Sequence, residues 1–252
     1  VAKNDEWNSM IFNKIRCYYR LSDKARMGHG YDYKICFNNF LKNFNPKKEE
    51  LIVILDNCKN STIDYVKNIC DNKNYQYEIT FDGNSLGFLN TAKKALVNSK
   101  NTIVYLLESD YLHRAGSKEA LFDIFNNFVK NDYVTLYDHP DKYHPYFYNT
   151  NINMILRGYC EIDDYKTFKS EIYYLKSGWW RTTPATCCSF ACSVETLNDD
   201  INLIESCLSP EKPNDTWLWK QIFNKNKKVF SPIPSYSGHT ILLPTGVDWK
   251  SV

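Results

Sequence analysis

The sequence predicts an α/β fold built on a Rossmann-like, mostly parallel central sheet flanked by helices. Strand-like and helix-like stretches alternate through the first half of the chain. Two strand-like stretches, Leu51-Ile52-Val53-Ile54-Leu55 and Ile103-Val104-Tyr105-Leu106-Leu107, are apolar throughout, as strands covered on both faces must be. Polar residues cluster where these strands end, which is where open α/β sheets bind their ligands.

Taken in order, Phe12 to Tyr19 reads as a strand leading into Leu21-Ser22-Asp23 and a loop that includes Arg26 to Gly30. Tyr33 to Phe44 has helical apolar spacing and is stopped by Pro46. The strand 51–55 ends at Asp56, and Ser61 or Thr62 is placed to cap the helix that runs through Ile69 and Cys70. Tyr75 to Phe81 is the next strand, Leu86 to Val97 the next helix, and Thr102 to Leu107 a fourth strand ending in Glu108-Ser109-Asp110.

The second half is less regular. Lys118 to Val129 reads as a helix and Tyr133 to Tyr137 as a strand ending in Asp138-His139-Pro140. Glu171 to Leu175 is a strand before Gly178-Trp179-Trp180, and Thr186 to Ser193 contains a short strand. Leu197 to Cys207 and Thr216 to Phe223 read as helices, and the tail Val229 to Val252, with three prolines, reads as mostly extended. Neither a repeat nor a low-complexity linker interrupts the 252 residues, so one domain of two halves, about 1–115 and 116–252, is expected.

Composition narrows the function. The net charge of +2 and the lack of a basic block interleaved with aromatics argue against nucleic-acid partners. No GxGxxG or Walker glycine loop follows a strand, which disfavours a dinucleotide enzyme or a P-loop nucleotidase. No apolar stretch is long enough to span a membrane. Nine cysteines, among them Cys160 and the adjacent Cys187 and Cys188, include no CxxC pair. They read as mostly reduced thiols, which points to a reducing, cytoplasmic-type compartment.

The sharpest chemical feature is Glu108-Ser109-Asp110 after a buried strand. In an extended stretch residues i and i+2 point the same way, so both carboxylates face one cation. Hard divalent cations take carboxylate and phosphate oxygens; Asp110 is the expected direct ligand. A solvated acidic loop is the plain alternative. Asp215, in Pro213-Asn214-Asp215-Thr216, stands at the start of a late helix, where a carboxylate complements the positive end. His239, beside Gly238, offers a neutral imidazole to a metal, although a lone loop His is commonly plain surface. His113, His139 and His144 carry weaker claims. Trp179, Trp180 and Arg181 either shape a sugar pocket or pack in the core.

These motifs, in this order, resemble the GT-A glycosyltransferases of family-two type, in particular compact forms from large DNA viruses and bacteria. The resemblance implies a GT-A fold with a nucleotide-sugar-binding half, an acceptor half and an extended C-terminal tail. It places Arg20, Ser22, Asp23, Asp56, Asn84, Gly87, Glu108 and Ser109 around the donor nucleotide. Asp56 would accept from the base, and Gly83 and Gly87 would allow close backbone approach. Asp110, His239 and Glu108 would hold Mn²⁺ or Mg²⁺. Asp215 would be the base of an inverting transfer from a nucleoside diphosphate sugar, a UDP sugar before a GDP sugar, to a glycan or protein hydroxyl. The triplet departs from a strict DxD by its leading Glu, which puts the metal in question. A sugar-nucleotide nucleotidyltransferase is the enzymatic alternative, but 21–28 lacks its Gly-rich basic signature; a non-catalytic carbohydrate- or nucleotide-binding domain is the other.

Overall fold

The first four strands follow the predicted alternation. The computed structural model describes residues 11–25, 27–140, 168–187, 189–208 and 214–252; Arg26, His144, Cys160, Cys188 and Pro213, named above, lie outside them. Strands β1 (Lys14–Leu21), β2 (Leu51–Asp56), β3 (Gln76–Thr80) and β4 (Thr102–Glu108) pair in parallel in the order β3-β2-β1-β4. Helices α1 (Tyr33–Asn43), α2 (Asn60–Lys73) and α3 (Asn84–Ala95) connect them.

Beyond β4 the sheet continues through elements remote in sequence. These are β6 (Tyr133–Val134), β7 (Ile172–Leu175), β8 (Gly178–Thr183), β9 (Phe190–Ser193) and β10 (Val229–Ile233). Among the described residues this sheet has nine strands, in the order β3-β2-β1-β4-β9-β6-β10-β8-β7. β9 is antiparallel to β4 and β6, β10 is parallel to β6, and the β7–β8 hairpin closes the far edge. One register row crosses five strands, from Tyr105 through Ala191, Val134 and Phe230 to Thr182.

Each face of the sheet carries its own apolar layer. Tyr19, Val53, Tyr105 and Trp180 pack with α1, α2 and α4 (Ser117–Asn127). Tyr18, Ile54, Leu106 and Phe190 pack with α3, α5 (Val194–Ser206) and α6 (Asp215–Asn224). The alternation of consecutive strand residues between these layers is why the central strands read as unbroken apolar runs.

Three expectations are corrected. β8, one of the inner strands, was expected only as a feature following a strand. β5 (Tyr111–His113) was not expected; it pairs antiparallel with β11 (Ser237–His239) in a small second sheet. The tail is not simply extended: after β11 it turns and docks Trp249 against Met27, Tyr31, Cys36, Leu112 and Leu243. A Cβ on Gly28 would stand 2.6 Å from the Thr240 carbonyl oxygen, so the loop after β1 needs glycine where the tail passes. The seven described cysteines are free thiols, six of them buried. No described helix is long and apolar enough to cross a membrane.

Candidate functional site

Arg20 organises the ends of the parallel strands. Register sets it level with Glu108 on β4 and Ile54 on β2. Its Nη2 donates to Asn84 Oδ1 at 2.8 Å and to Glu108 Oε1, and its Nη1 lies 3.4 Å from Asp56 Oδ2. Asp56 is 1% exposed. Its Oδ1 accepts from Asn57 Nδ2 at 3.0 Å, Gly83 N at 3.2 Å and Thr80 Oγ1 at 3.3 Å. That oxygen is saturated, and only Oδ2 keeps acceptor capacity. α3 starts over this cluster, and a Cβ on Gly87 would meet Asp56 Oδ2 at 2.8 Å and Arg20 Nη1 at 3.2 Å. The close-approach role expected of Gly87 is therefore filled by this ion cluster.

Asp23 and Ser22 do other work. Asp23 Oδ2 accepts from Lys59 N, and its Oδ1 accepts from Thr62 Oγ1 at 2.8 Å. It caps α2 from a neighbouring loop, whereas Ser61 or Thr62 was expected to cap it and Asp23 to face the nucleotide. A carboxylate at the N-terminus of α2 satisfies orphan donors and complements the dipole. Ser22 Oγ accepts from Lys24 N at 3.3 Å within the local turn.

The triplet divides. β4 ends at Glu108, and Ser109 and Asp110 form a turn, so the i, i+2 alternation of an extended chain does not apply. Glu108 is drawn to Arg20. Among the described residues no group of three His, Cys, Asp or Glu side chains comes together to hold a metal ion. Glu108, Asp110 and His239 thus do not form the expected three-ligand set.

Asp110 and His239 do meet. Antiparallel pairing of β5 with β11 sets His239 opposite Tyr111, and Thr240 N donates to the Asp110 carbonyl at 2.9 Å. His239 Nε2 lies 3.2 Å from Asp110 Oδ2, while its Nδ1 accepts from Ile241 N at 3.3 Å. With Nδ1 an acceptor, the neutral ring carries its proton on Nε2 and points it at the carboxylate. Asp110 Oδ1 is buried without a hydrogen-bond partner, and so is Ser109 Oγ. A buried carboxylate oxygen lacking a donor is costly unless a cation or ligand completes it.

Two unforeseen side chains line the same place. Tyr111 packs edge-on against His239 and Tyr137, and its hydroxyl meets Cys187 Sγ. Burial pushes the Cys187 thiol up to about 12, and the Glu108 and Asp215 carboxylates add to it. This thiol is therefore inert, and it lies within electrostatic reach of both carboxylates. Tyr111 could have been suspected from its position after the triplet, but nothing local marks Cys187.

Asp215 opens α6, where Asn214 is the cap: Asn214 Oδ1 accepts from Trp217 N at 3.0 Å, and Asp215 Oδ1 from Thr216 N at 2.8 Å. Asp215 is half-buried and so is not spent as the cap. Trp180 is core, with Nε1 donating to Ser177 Oγ at 2.9 Å, while Trp179 is exposed. Arg181 donates through Nη2 at 2.7 Å and Nε at 3.0 Å to Asp138 Oδ1. His113 is buried against Phe40 and Phe44, with Nε2 2.9 Å from Tyr105 Oη; burial lowers its pKa to about 3. It is structural. His139 lies tilted against Tyr137, ring centroids 4.1 Å apart.

No protein-family model matches this sequence, and no curated protein matches it. Among solved structures, GalNAc-T7, crystallised with UDP, GalNAc and Mn²⁺, superposes with a TM-score of 0.57 at 12% identity. The match covers 92% of this chain and 45% of that one, so this chain spans less than half the neighbour's length. TarS from S. aureus gives a TM-score of 0.49 at 15% identity over 86% of this chain and 60% of that one. The fold assignment rests on the first of these together with the strand order. The chain has the fold of the GT-A nucleotide-sugar glycosyltransferases.

Proposed function

We propose that this chain is a metal-assisted glycosyltransferase that uses a nucleoside diphosphate sugar, with UDP preferred. The observation that carries the reading is the Asp110–His239 pair at the carboxyl edge of the sheet, with Asp110 Oδ1 buried and lacking a donor. The Asp110 carboxylate suits Mn²⁺ or Mg²⁺, with diphosphate oxygens supplying further ligands, while His239 Nε2–H, pointed at Asp110 Oδ2, holds that carboxylate in place. The cation would supply charge neutralisation at the departing diphosphate.

The remaining roles fall to the chain's own side chains. Arg20 ties Asp56, Asn84 and Glu108 together and so fixes these polar side chains at the strand ends where the nucleotide would lie. Asp56 Oδ2 retains acceptor capacity for a base N–H, and the preference for UDP follows the neighbouring structure crystallised with UDP. Asp215, half-buried beside Cys187, takes the acceptor hydroxyl's proton as that oxygen attacks the anomeric carbon and the bond to the diphosphate breaks, with inversion. The acceptor is a hydroxyl on a glycan or a protein.

Calorimetric titration of UDP and GDP, each with and without Mn²⁺, tests this reading. Binding of UDP that requires Mn²⁺ and disappears in Asp110→Asn is expected. Absence of binding by either nucleotide, or binding indifferent to the metal and to Asp110, would overturn it.

A further inference from the structure

The outermost hairpin carries an aromatic pair that the transfer chemistry does not use. Tyr174 on β7 and Trp179 on β8 are register partners, with ring centroids 4.8 Å apart and planes inclined at 52°. They are 69% and 53% exposed. The same hairpin buries Trp180 in the α1–α2–α4 layer and packs half-buried Tyr173 against it, so it is already anchored without them.

Register and pleat place this pair in line with the candidate site. Three residues toward the carboxyl edge from the row Tyr105–Ala191–Val134–Phe230–Thr182 lie Glu108 on β4, Ile233 on β10 and Trp179 on β8. Glu108 alternates with Leu107, and Trp179 with Trp180, both of which belong to the α1–α2–α4 layer. Glu108 and Trp179 therefore share the opposite face. Four strand steps separate β4 from β8, which at ~4.8 Å each is about 19 Å. On that face between them lies a buried polar cluster, with Asp138 Oδ1 accepting from Arg181 and, at 3.2 Å, from Ser231 Oγ.

We propose that Tyr174 and Trp179 form a remote acceptor subsite, and that the acceptor is a glycan chain of several sugar units. This rests on the glycosyltransferase reading and names its acceptor class. A pyranose lays its axial C–H patch on an aromatic face while its hydroxyls stay in water, which suits rings that are half exposed. A separation of about 19 Å is crossed by an extended oligosaccharide and not by a single sugar. The apolar patch here, two rings beside Ile172, falls short of the ~800 Å² per partner that a stable protein interface buries, which argues against a second copy or a protein partner.

The test titrates the whole chain with cello-, chito-, malto- and manno-oligosaccharides, from monosaccharide to hexasaccharide, following tryptophan fluorescence and saccharide NMR line widths. Parallel titration with UDP and Mn²⁺ reports the donor site separately. At least one series is expected to bind more tightly as it lengthens. Trp179→Ala should weaken the longer members on the order of tenfold, Trp179→Phe should restore much of that, and UDP binding should stay unchanged. Tyr174→Ala serves as the second variant if Trp179→Ala does not fold. Four results would overturn the subsite while UDP binding stands: no series binds, binding ignores chain length, both alanine variants bind as the parent does, or Trp179→Ala turns a dimer into a monomer. Loss of UDP binding in the parent would instead bring down the glycosyltransferase reading beneath it.

Discussion

Gly87→Ala tests the packing at the heart of the nucleotide end. The added methyl would sit 2.8 Å from Asp56 Oδ2 and 3.2 Å from Arg20 Nη1, so something must move. Asp56 is short, buried and fixed through Oδ1 by three donors, so moving it would break those bonds. The strain therefore falls on α3 or on Arg20. Overpacking of this kind costs about 1–3 kcal/mol, and the better helix propensity of alanine offsets about 1 kcal/mol. The net expected destabilisation is roughly 1 kcal/mol, or a drop in Tm of about 2–4 °C for a domain of this size. Displacing Arg20 should also weaken UDP, by about tenfold for each 1.4 kcal/mol lost. Urea denaturation and calorimetric titration of UDP with Mn²⁺ measure the two effects. If Gly87→Ala matches or exceeds the parent in stability and binds UDP normally, Gly87 is not there to let α3 approach the Arg20–Asp56 pair.

Asp215→Asn should lower turnover about 10²–10⁴-fold with donor binding preserved; near-normal single-turnover rates would reduce Asp215 to a dipole partner of α6. Burial holds His113 neutral, with its pKa lowered from 6.5 to about 3. The unfolded chain binds this proton first, so His113 makes folding stability fall as pH drops from about 6.5 toward 3, by at most about 1.4 kcal/mol per pH unit. His113→Gln should flatten that acid limb in pH-dependent urea melts, and an unchanged slope would refute the assignment. Asp200 is buried between Lys225, Lys227 and the Tyr133 hydroxyl; burial raises its pKa, but the two lysines and the tyrosine more than reverse this, and the net shift is down. Its contribution is present above the ordinary carboxylate pKa and is lost as pH falls through the lowered one. Asp200→Ala at neutral pH strands the largely buried Lys227 and should cost about 3 kcal/mol, read as a lower urea midpoint at unchanged slope.

Much of the architecture was legible in the sequence because its signals are local. The apolar runs 51–55 and 103–107 mark strands buried on both faces, and Pro46 and the helical spacing of 33–44 bound α1 without reference to anything distant. Asp56 and Arg20 could be placed at strand ends for the same reason. What those side chains do could not be read locally. Glu108 looked like a metal ligand because two carboxylates separated by one residue face the same way in a strand, yet the chain turns at Ser109, and Arg20, 88 residues earlier, claims the glutamate. Asp23, placed near the donor by resemblance, accepts from Lys59 N, 36 residues later at the start of α2, a contact that no local pattern announces. Asp110 and His239 are brought together only by the pairing of two three-residue strands, β5 and β11, that leave little trace in residue pattern. Strand and helix periodicity follow from burial of one chain segment at a time, so sequence alone determined the four parallel strands β1 to β4 and their carboxyl edge. Ion pairing, capping and ligand convergence depend on which segments meet in space, and that the tertiary structure decided.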